Sequence, residues 1–226
     1  MVLWLASGLG VVLVAYLLGA IPTGYWAGKL LQGIDIREHG SKSTGATNVL
    51  RTLGKGPALT VLLIDVFKGV TAVLLARWIY SLPAIIAVVP DAIDRFAWTN
   101  WVVTLAALMA MVGHSRSIWI NFTGGKSAAT GLGVLFAMAW QVGLGVAVIF
   151  GLVLAIFRIV SLSSIAAAIG AIGLMWAFRQ PLSYQLIVLA GGLYVIWRHK
   201  ANIQRLVAGT EPKIGQKHQE SELERS

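Results

Sequence analysis

The sequence predicts an all-α, polytopic transmembrane helix bundle, and three observations predict it. Of 226 residues, 57% are hydrophobic and 12% are charged, about half the charged share of a soluble domain. Residues 1–28, 127–157, 159–178 and 180–197 carry no charge at all, and about 20 apolar residues suffice to cross a bilayer core as a helix. The net charge of +9 gathers in residues 29–55, 116–126 and 198–217, between the apolar runs, as the positive-inside rule requires. In a soluble protein such a balance would suggest nucleic acid; here it reads as membrane topology, and no nucleic-acid partner is expected. A soluble core of buried helices would not need runs of this length without charge.

The elements follow in order. The first apolar stretch lacks a basic n-region, is too long for an h-region and has no small-x-small cleavage site, so it reads as a retained helix. Residues 29–55 are basic and are assigned to the cytoplasm. Residues 57–80 then cross outward, and residues 81–97, with Asp91, Asp94 and Arg95, carry almost no net charge. Trp78, Tyr80, Trp98 and Trp101 stand where an outer aromatic belt is expected. Residues 98–112 return, bringing 113–126 to the cytoplasm. Residues 127–157 are the ambiguous stretch. One crossing there gives six in all and exports the basic tail. A hairpin turning near Gln141–Gly143 gives seven and keeps the tail inside, although arms of about 15 residues are short for a span. The hairpin also places Arg158, Ser161 and Ser164 with the other polar clusters. Seven crossings, N-terminus out and C-terminus cytoplasmic, is the preferred topology, and five is the fallback. Residues 1–215 form a single domain without internal repeats; residues 216–226 are polar and are expected to be disordered.

Three basic segments hold the unusual residues. Residues 40–47 are small and rich in hydroxyls, and they lead into a helix whose N-terminal amides favour an anion. Asn48 and Arg51, at i and i+3, share its face. Ordinary capping is the competing explanation, but it does not account for an arginine beside a glycine-serine loop. In Phe122-Thr123-Gly124-Gly125-Lys126, paired glycines allow close backbone approach to an oxyanion and the lysine adds a point charge. Ile120 rules out a Walker A loop; a tight turn with a snorkelling lysine is the alternative. His199, Asn202 and Arg205 recur every third residue along one helical edge, which alone would suit a basic helix on anionic lipid. Ser161–Ser164, beside Arg158, form a lesser cluster that capping could explain.

Absences narrow the chemistry. No cysteine is present, which excludes disulfides, thiol catalysis and thiolate metal sites. The nine acidic residues show no histidine at metal-ligand spacing, so neither metal nor cofactor is expected. The H-x4-D pattern of common acyltransferases is missing: Trp119 follows His114 at that spacing, and Gln204 follows His199. Asp65 and Lys68, at i and i+3 within a span, suggest an internal ion pair rather than catalysis.

The ordered segments "GATNVLRTLGKGPA", "GH…F.GGK.AAT.LG", "SLSS" and "RH..NI.RL..GTEPKIG" together resemble the bacterial acyl-phosphate:glycerol-3-phosphate acyltransferase family over nearly the whole chain. The resemblance implies a seven-helix enzyme of the bacterial inner membrane with its active site on the cytoplasmic face. Its partners would be glycerol-3-phosphate, a fatty acyl phosphate and membrane lipid, and its products 1-acyl-glycerol-3-phosphate and phosphate. Ser41, Asn48 and Arg51 match the functional positions of the first motif, with Thr47 counted beside them as substrate-binding. Gly124, Gly125 and Lys126 match the phosphate loop, Ser164, His199 and Asn202 the later polar positions, and Glu211 an acidic position of structural role. Arg51, Lys126, His199 and Asn202 are the catalytic candidates. The family usually has Asn at position 43, Pro at 117 and Gly at 127, where this chain has serine.

An acyl phosphate is an activated anhydride, and no serine here has a histidine–carboxylate pair to activate it, so direct attack by the 1-hydroxyl is expected. His199 or the leaving phosphate could take the proton. A transporter of a phosphorylated solute or a lipid-binding subunit would share the basic segments, but no inverted repeat supports the former. The sequence leaves the oligomeric state open, and a monomer is compatible with it.

Overall fold

The computed structural model describes residues 2–216; the tail from 217 onward lies outside them. Its regular secondary structure within those residues is helical, apart from one isolated bridge, Ser117 to Thr123. Helices α1 (Val2–Ala20), α4 (Lys55–Ser81), α6 (Arg95–Ser115), α7 (Ala128–Met138), α8 (Trp140–Phe157), α9 (Val160–Ala177) and α10 (Leu182–Arg198) form the apolar bundle. Shorter α2 (Thr23–Gln32), α3 (Ala46–Thr52), α5 (Pro83–Ile86) and α11 (Lys200–Val207) connect and flank them. Five helical stretches among the described residues are long and apolar enough to cross a membrane, counting α1 and α2 as one; α7 and α10 are apolar but shorter.

Small residues set the packing. Gly19 lies against the Ala110 backbone and Gly113 against that of Tyr16 and Ala20, which brings α1 onto α6. Gly69 meets Thr130 and Gly133 meets Val66, which brings α4 onto α7. A Cβ at any of the four would strike main chain, and such small-residue seams are how helices associate where lipid supplies no hydrophobic contrast.

Residues 127–157 do form a hairpin, but its turn is at Ala139, in extended conformation, and the arms have 11 and 18 residues. The unequal arms have a physical cause. Helix α7 starts deep along α4: its Thr130 lies against Gly69, about 20 Å from Lys55 at 1.5 Å per residue, and Gly125 and Ser127 just before it are buried. Gly143 packs on the Phe136 backbone across the turn. Arg77 donates to the free Met138 carbonyl at 2.9 Å, satisfying the end of α7.

The chain also breaks at Ile21–Pro22, between α1 and α2. Proline cannot donate to the ladder, and carbonyls freed there need partners away from water. Ser117 donates to the Ala20 carbonyl and Lys68 to that of Ile21, at 3.2 Å. The serine at position 117 therefore closes a break in α1–α2.

Candidate active site

A cavity of about 360 Å³ opens at the end of the bundle where α4 and α9 begin and α6 and α10 end. Its mouth is polar, with Ser41, Thr47, Arg51, Lys126, Ser164, His199 and Asn202 on its wall. Its depth is apolar, running between Val146 and Phe150 of α8, Ala167 and Ala171 of α9, and Ile187 and Val188 of α10. An acyl chain fits such a channel and an anionic head fits such a mouth.

The first wall is the loop before α3. Asn48 is 1% exposed. Its amide nitrogen lies 2.9–3.0 Å from the carbonyls of Ile36, His39 and Ser43, and its oxygen accepts from the Ser41 amide at 2.7 Å. The carboxamide thus folds the loop that presents Ser41, and Asn48 itself stands on the cavity wall. Arg51, one turn on, forms no ion pair among the described residues. Burial pushes its guanidinium down from the usual value, Glu211 opposes this, and Arg205 adds to it.

The second wall is the glycine loop. Lys126 donates to the Asn202 carboxamide oxygen. Burial lowers its ammonium to about 8; Glu211 opposes the shift and Arg205, Arg51 and Arg198 reinforce it. The two glycines are held by contacts with His114 and Arg198. The Gly125 amide donates to the His114 carbonyl at 3.1 Å, and Arg198 binds the Gly124 and Gly125 carbonyls at 3.3 and 2.8 Å. Neither glycine lines the cavity. A Cβ at Gly124 would strike the His114 carbonyl, and one at Gly125 would strike the His114 ring. Glycine is required here by the packing of His114, and the Gly125 amide is not free for an oxyanion. Ser127 follows at φ 62°, a conformation that costs a non-glycine residue about 1–2 kcal/mol. Its hydroxyl pairs with Ser115 at 2.6 Å and with the Met111 carbonyl at 2.6 Å, which offsets that cost.

The third wall joins α9, α10 and α11. Glu211 accepts from Ser161 at 2.7 Å, from Asn202 at 2.6 Å and from Arg205 at 2.7 Å. Burial raises its carboxyl, but hydrogen bonds from Asn202, Ser161 and Arg205 outweigh that and hold it below the usual range. Ser161, Glu211, Asn202 and Lys126 thus form one chain of hydrogen bonds ending at the lysine. His199 Nδ1 lies 2.8 Å from the Val195 carbonyl. A carbonyl only accepts, so Nδ1 carries the proton and the neutral ring leaves Nε2 as an acceptor. Burial lowers its pKa to about 4, with Val195 opposing and Lys126 reinforcing the shift. Ser164 donates to the Val160 carbonyl at 2.9 Å, a back-bond within α9 that still leaves its oxygen on the wall.

Several contributors escape sequence reasoning. His114 touches both the glycine loop and Asp65, whose Oδ1 lies 3.6 Å from its Nδ1. Asp65 is paired with Lys68 at 2.9 Å and accepts from Thr23 at 2.7 Å, so the ion pair expected from their spacing is present, and its acid also lines the cavity. Arg37, paired with Asp35 at 2.6 Å, reaches the Ile120 carbonyl at 3.1 Å and Thr123 at 2.9 Å. It bolts the first basic segment to the second across more than 80 residues of sequence, and no local pattern announces that. No group of three or more histidine, cysteine or acidic residues among the described residues could hold a metal.

Residues 9–209 match the family described as glycerol-3-phosphate acyltransferase. The chain is 58% identical over 217 residues to the glycerol-3-phosphate acyltransferase of Acaryochloris marina, covering 96% of each. It is 61% identical to glycerol-3-phosphate acyltransferase 2 of Rhizobium johnstonii, covering 95% of this chain and 99% of the relative. Its fold is similar to crystal structures of PlsY, an integral membrane glycerol 3-phosphate acyltransferase. The glycerol 3-phosphate form gives a TM-score of 0.79 at 33% identity, and the lysophosphatidic acid form 0.78 at 34%. Each comparison covers 92% of this chain and 96% of the other.

Proposed function

The chain belongs to the glycerol-3-phosphate acyltransferase family, and on that premise we propose that its acyl donor is a fatty acyl phosphate and that transfer to glycerol-3-phosphate is direct. The observation that carries this reading is the mouth of the cavity, where Arg51 and Lys126 have no carboxylate partner. Of the two acids on the cavity wall, Asp65 is paired with Lys68 and Glu211 is engaged by Arg205. Two phosphate dianions would supply the missing charge, one from each reactant, while the acyl chain enters the apolar channel below.

Arg51 holds one phosphate through its planar fork, and Lys126 holds the other as a point charge. Ser41, Thr47 and Ser164 offer hydroxyls to the phosphates or to the glycerol backbone. Asn202, fixed by Glu211, aims the lysine. Holding two reactants at near-attack distance can lower the barrier by roughly 7–11 kcal/mol. The 1-hydroxyl oxygen attacks the acyl carbonyl carbon, the bond from that carbon to the phosphate oxygen breaks, and inorganic phosphate leaves. A buried imidazole near pKa 4 is a poor base for a hydroxyl. His199 Nε2 therefore accepts a hydrogen bond that orients the hydroxyl, and the proton ends on the departing phosphate. The seven-crossing topology, with N-terminus out and the cavity mouth on the cytoplasmic face of the inner membrane, follows from the basic segments around that mouth.

Purified protein given glycerol-3-phosphate and palmitoyl phosphate should release lysophosphatidate and inorganic phosphate in equal amounts. Palmitoyl-CoA in a parallel reaction should give no product above background. Equal use of both donors, or use of the thioester alone, would refute the donor assignment.

A further inference from the structure

At the opposite end of the bundle lies a second polar cleft, of about 480 Å³, between the end of α4, the start of α6, the α7–α8 turn and the start of α10. We propose that this cleft binds the phosphate of an anionic membrane phospholipid. Its wall carries Arg77, Arg95, Asn100, Gln180 and Tyr184, and no carboxylate.

Arg77 engages only neutral acceptors, through one terminal nitrogen: the Met138 carbonyl at 2.9 Å and the Tyr184 hydroxyl at 3.2 Å. Tyr184 in turn donates to Asn100 at 3.1 Å. The other nitrogens of Arg77, and the whole Arg95 guanidinium, have no partner among the described residues. The acids nearby form no ion pair with them. Asp94 caps α6 through the Phe96 and Ala97 amides at 2.9 and 3.2 Å, and Asp91 forms no ion pair. Arg179, beside Gln180, adds a third cation to this end. Helix capping explains one nitrogen of Arg77 and leaves two cationic heads unused.

Position selects the occupant. Phe96 stands exposed on the cleft wall, and Trp78, Trp140 and Leu182, within two residues of its other wall residues in sequence, are exposed too, at the ends of membrane helices where aromatic side chains meet lipid headgroups. Arginine forks match phosphate oxygens, and a lipid brings its acyl chains to the apolar rim. A free phosphate would find the same forks but nothing for the rim to bind. The cleft lies at the far end from Lys126, so its ligand is neither reactant of the acyl transfer.

Native mass spectrometry of the purified protein with phosphatidylglycerol and phosphatidylcholine in competition tests this. Retention of one phosphatidylglycerol is expected, weakened about fivefold by Arg95→Gln and further by Arg77→Gln, given the pull of one arginine on anionic lipid. Lys126→Ala should leave it unchanged, since any lipid in the catalytic cavity would respond to that change instead. A photoactivatable phosphatidylglycerol should label α6 or α10 near Phe96 and Leu182. Retention indifferent to Arg95→Gln, displacement by millimolar inorganic phosphate, or labels confined to the catalytic cavity would each overturn the proposal.

Discussion

Asp65 and His114, with Lys68 paired behind them, and the cluster of Arg51, Lys126, His199 and Asn202 line one cavity yet balance charge in opposite ways. In the first, an acid and a base pair at 2.9 Å with Thr23 donating to the same oxygen, so the charge of the cluster is balanced without a ligand, although the other Asp65 oxygen is buried without a partner. In the second, two cations face a cavity with their nearest acid already engaged by Arg205. Buried charge is tolerated when paired and costly when not. An unpaired cation at the mouth of an apolar channel therefore points to an anion that arrives from outside, whereas the paired one points to architecture. The first cluster supports the glycine loop through His114, and the second uses what that loop presents.

The contrast can be broken by substitution. Asp65→Asn should lower stability by about 3–5 kcal/mol, because it strands Lys68 in the bundle; a thermal melt in detergent reads this. Arg51→Met and Lys126→Met should melt at or above the wild-type temperature, since neither loses an ion pair. Lys126→Ala should cut kcat/KM by about 10²–10³, the scale of one lost donor to developing charge. Arg51→Lys should cost about tenfold to a hundredfold, largely in KM for one phosphorylated reactant, because the bidentate fork is lost. His199→Ala should cost about tenfold in kcat if the ring only orients the hydroxyl; a loss of 10²–10⁴ would make it the base.

Acidity gives a finer test. Lys126 titrates near 8 in the folded protein against 10.5 ordinarily. Its charge is lost as pH rises through 8, so kcat/KM should fall above that point, and Lys126→Arg should move the limb upward. Stability should run the other way. Between pH 8 and 10.5 the unfolded chain binds the proton that the folded chain has released, so unfolding becomes harder as pH rises across that window.

Much of this could be read from residues alone, for identifiable reasons. The bundle follows from charge-free length, and the Asp65–Lys68 pair from i, i+3 geometry within a span. The α7–α8 hairpin follows from keeping basic segments on one side. The length of its arms does not, because nothing in the local pattern shows that α7 starts as deep along α4 as Gly69. Asn48 and Gly125 show a second limit. Their types and spacing suit a substrate oxygen, but the Asn48 carboxamide is consumed by its own loop and the Gly125 amide by His114. Residue type fixes what a group can bind; the fold decides whether it is still free. The contacts of Arg37, His114 and Arg198 are hidden from local pattern for the same reason, since their partners lie in segments remote in sequence.

The most direct test is a structure with glycerol-3-phosphate and a non-transferable phosphonate analogue of the acyl phosphate bound together. One phosphorus group should sit on the Arg51 guanidinium and the other within hydrogen-bond reach of the Lys126 ammonium, with the acyl chain between α8, α9 and α10. Both anionic groups lying away from these two cations, or the chain lying outside that channel, would contradict the account.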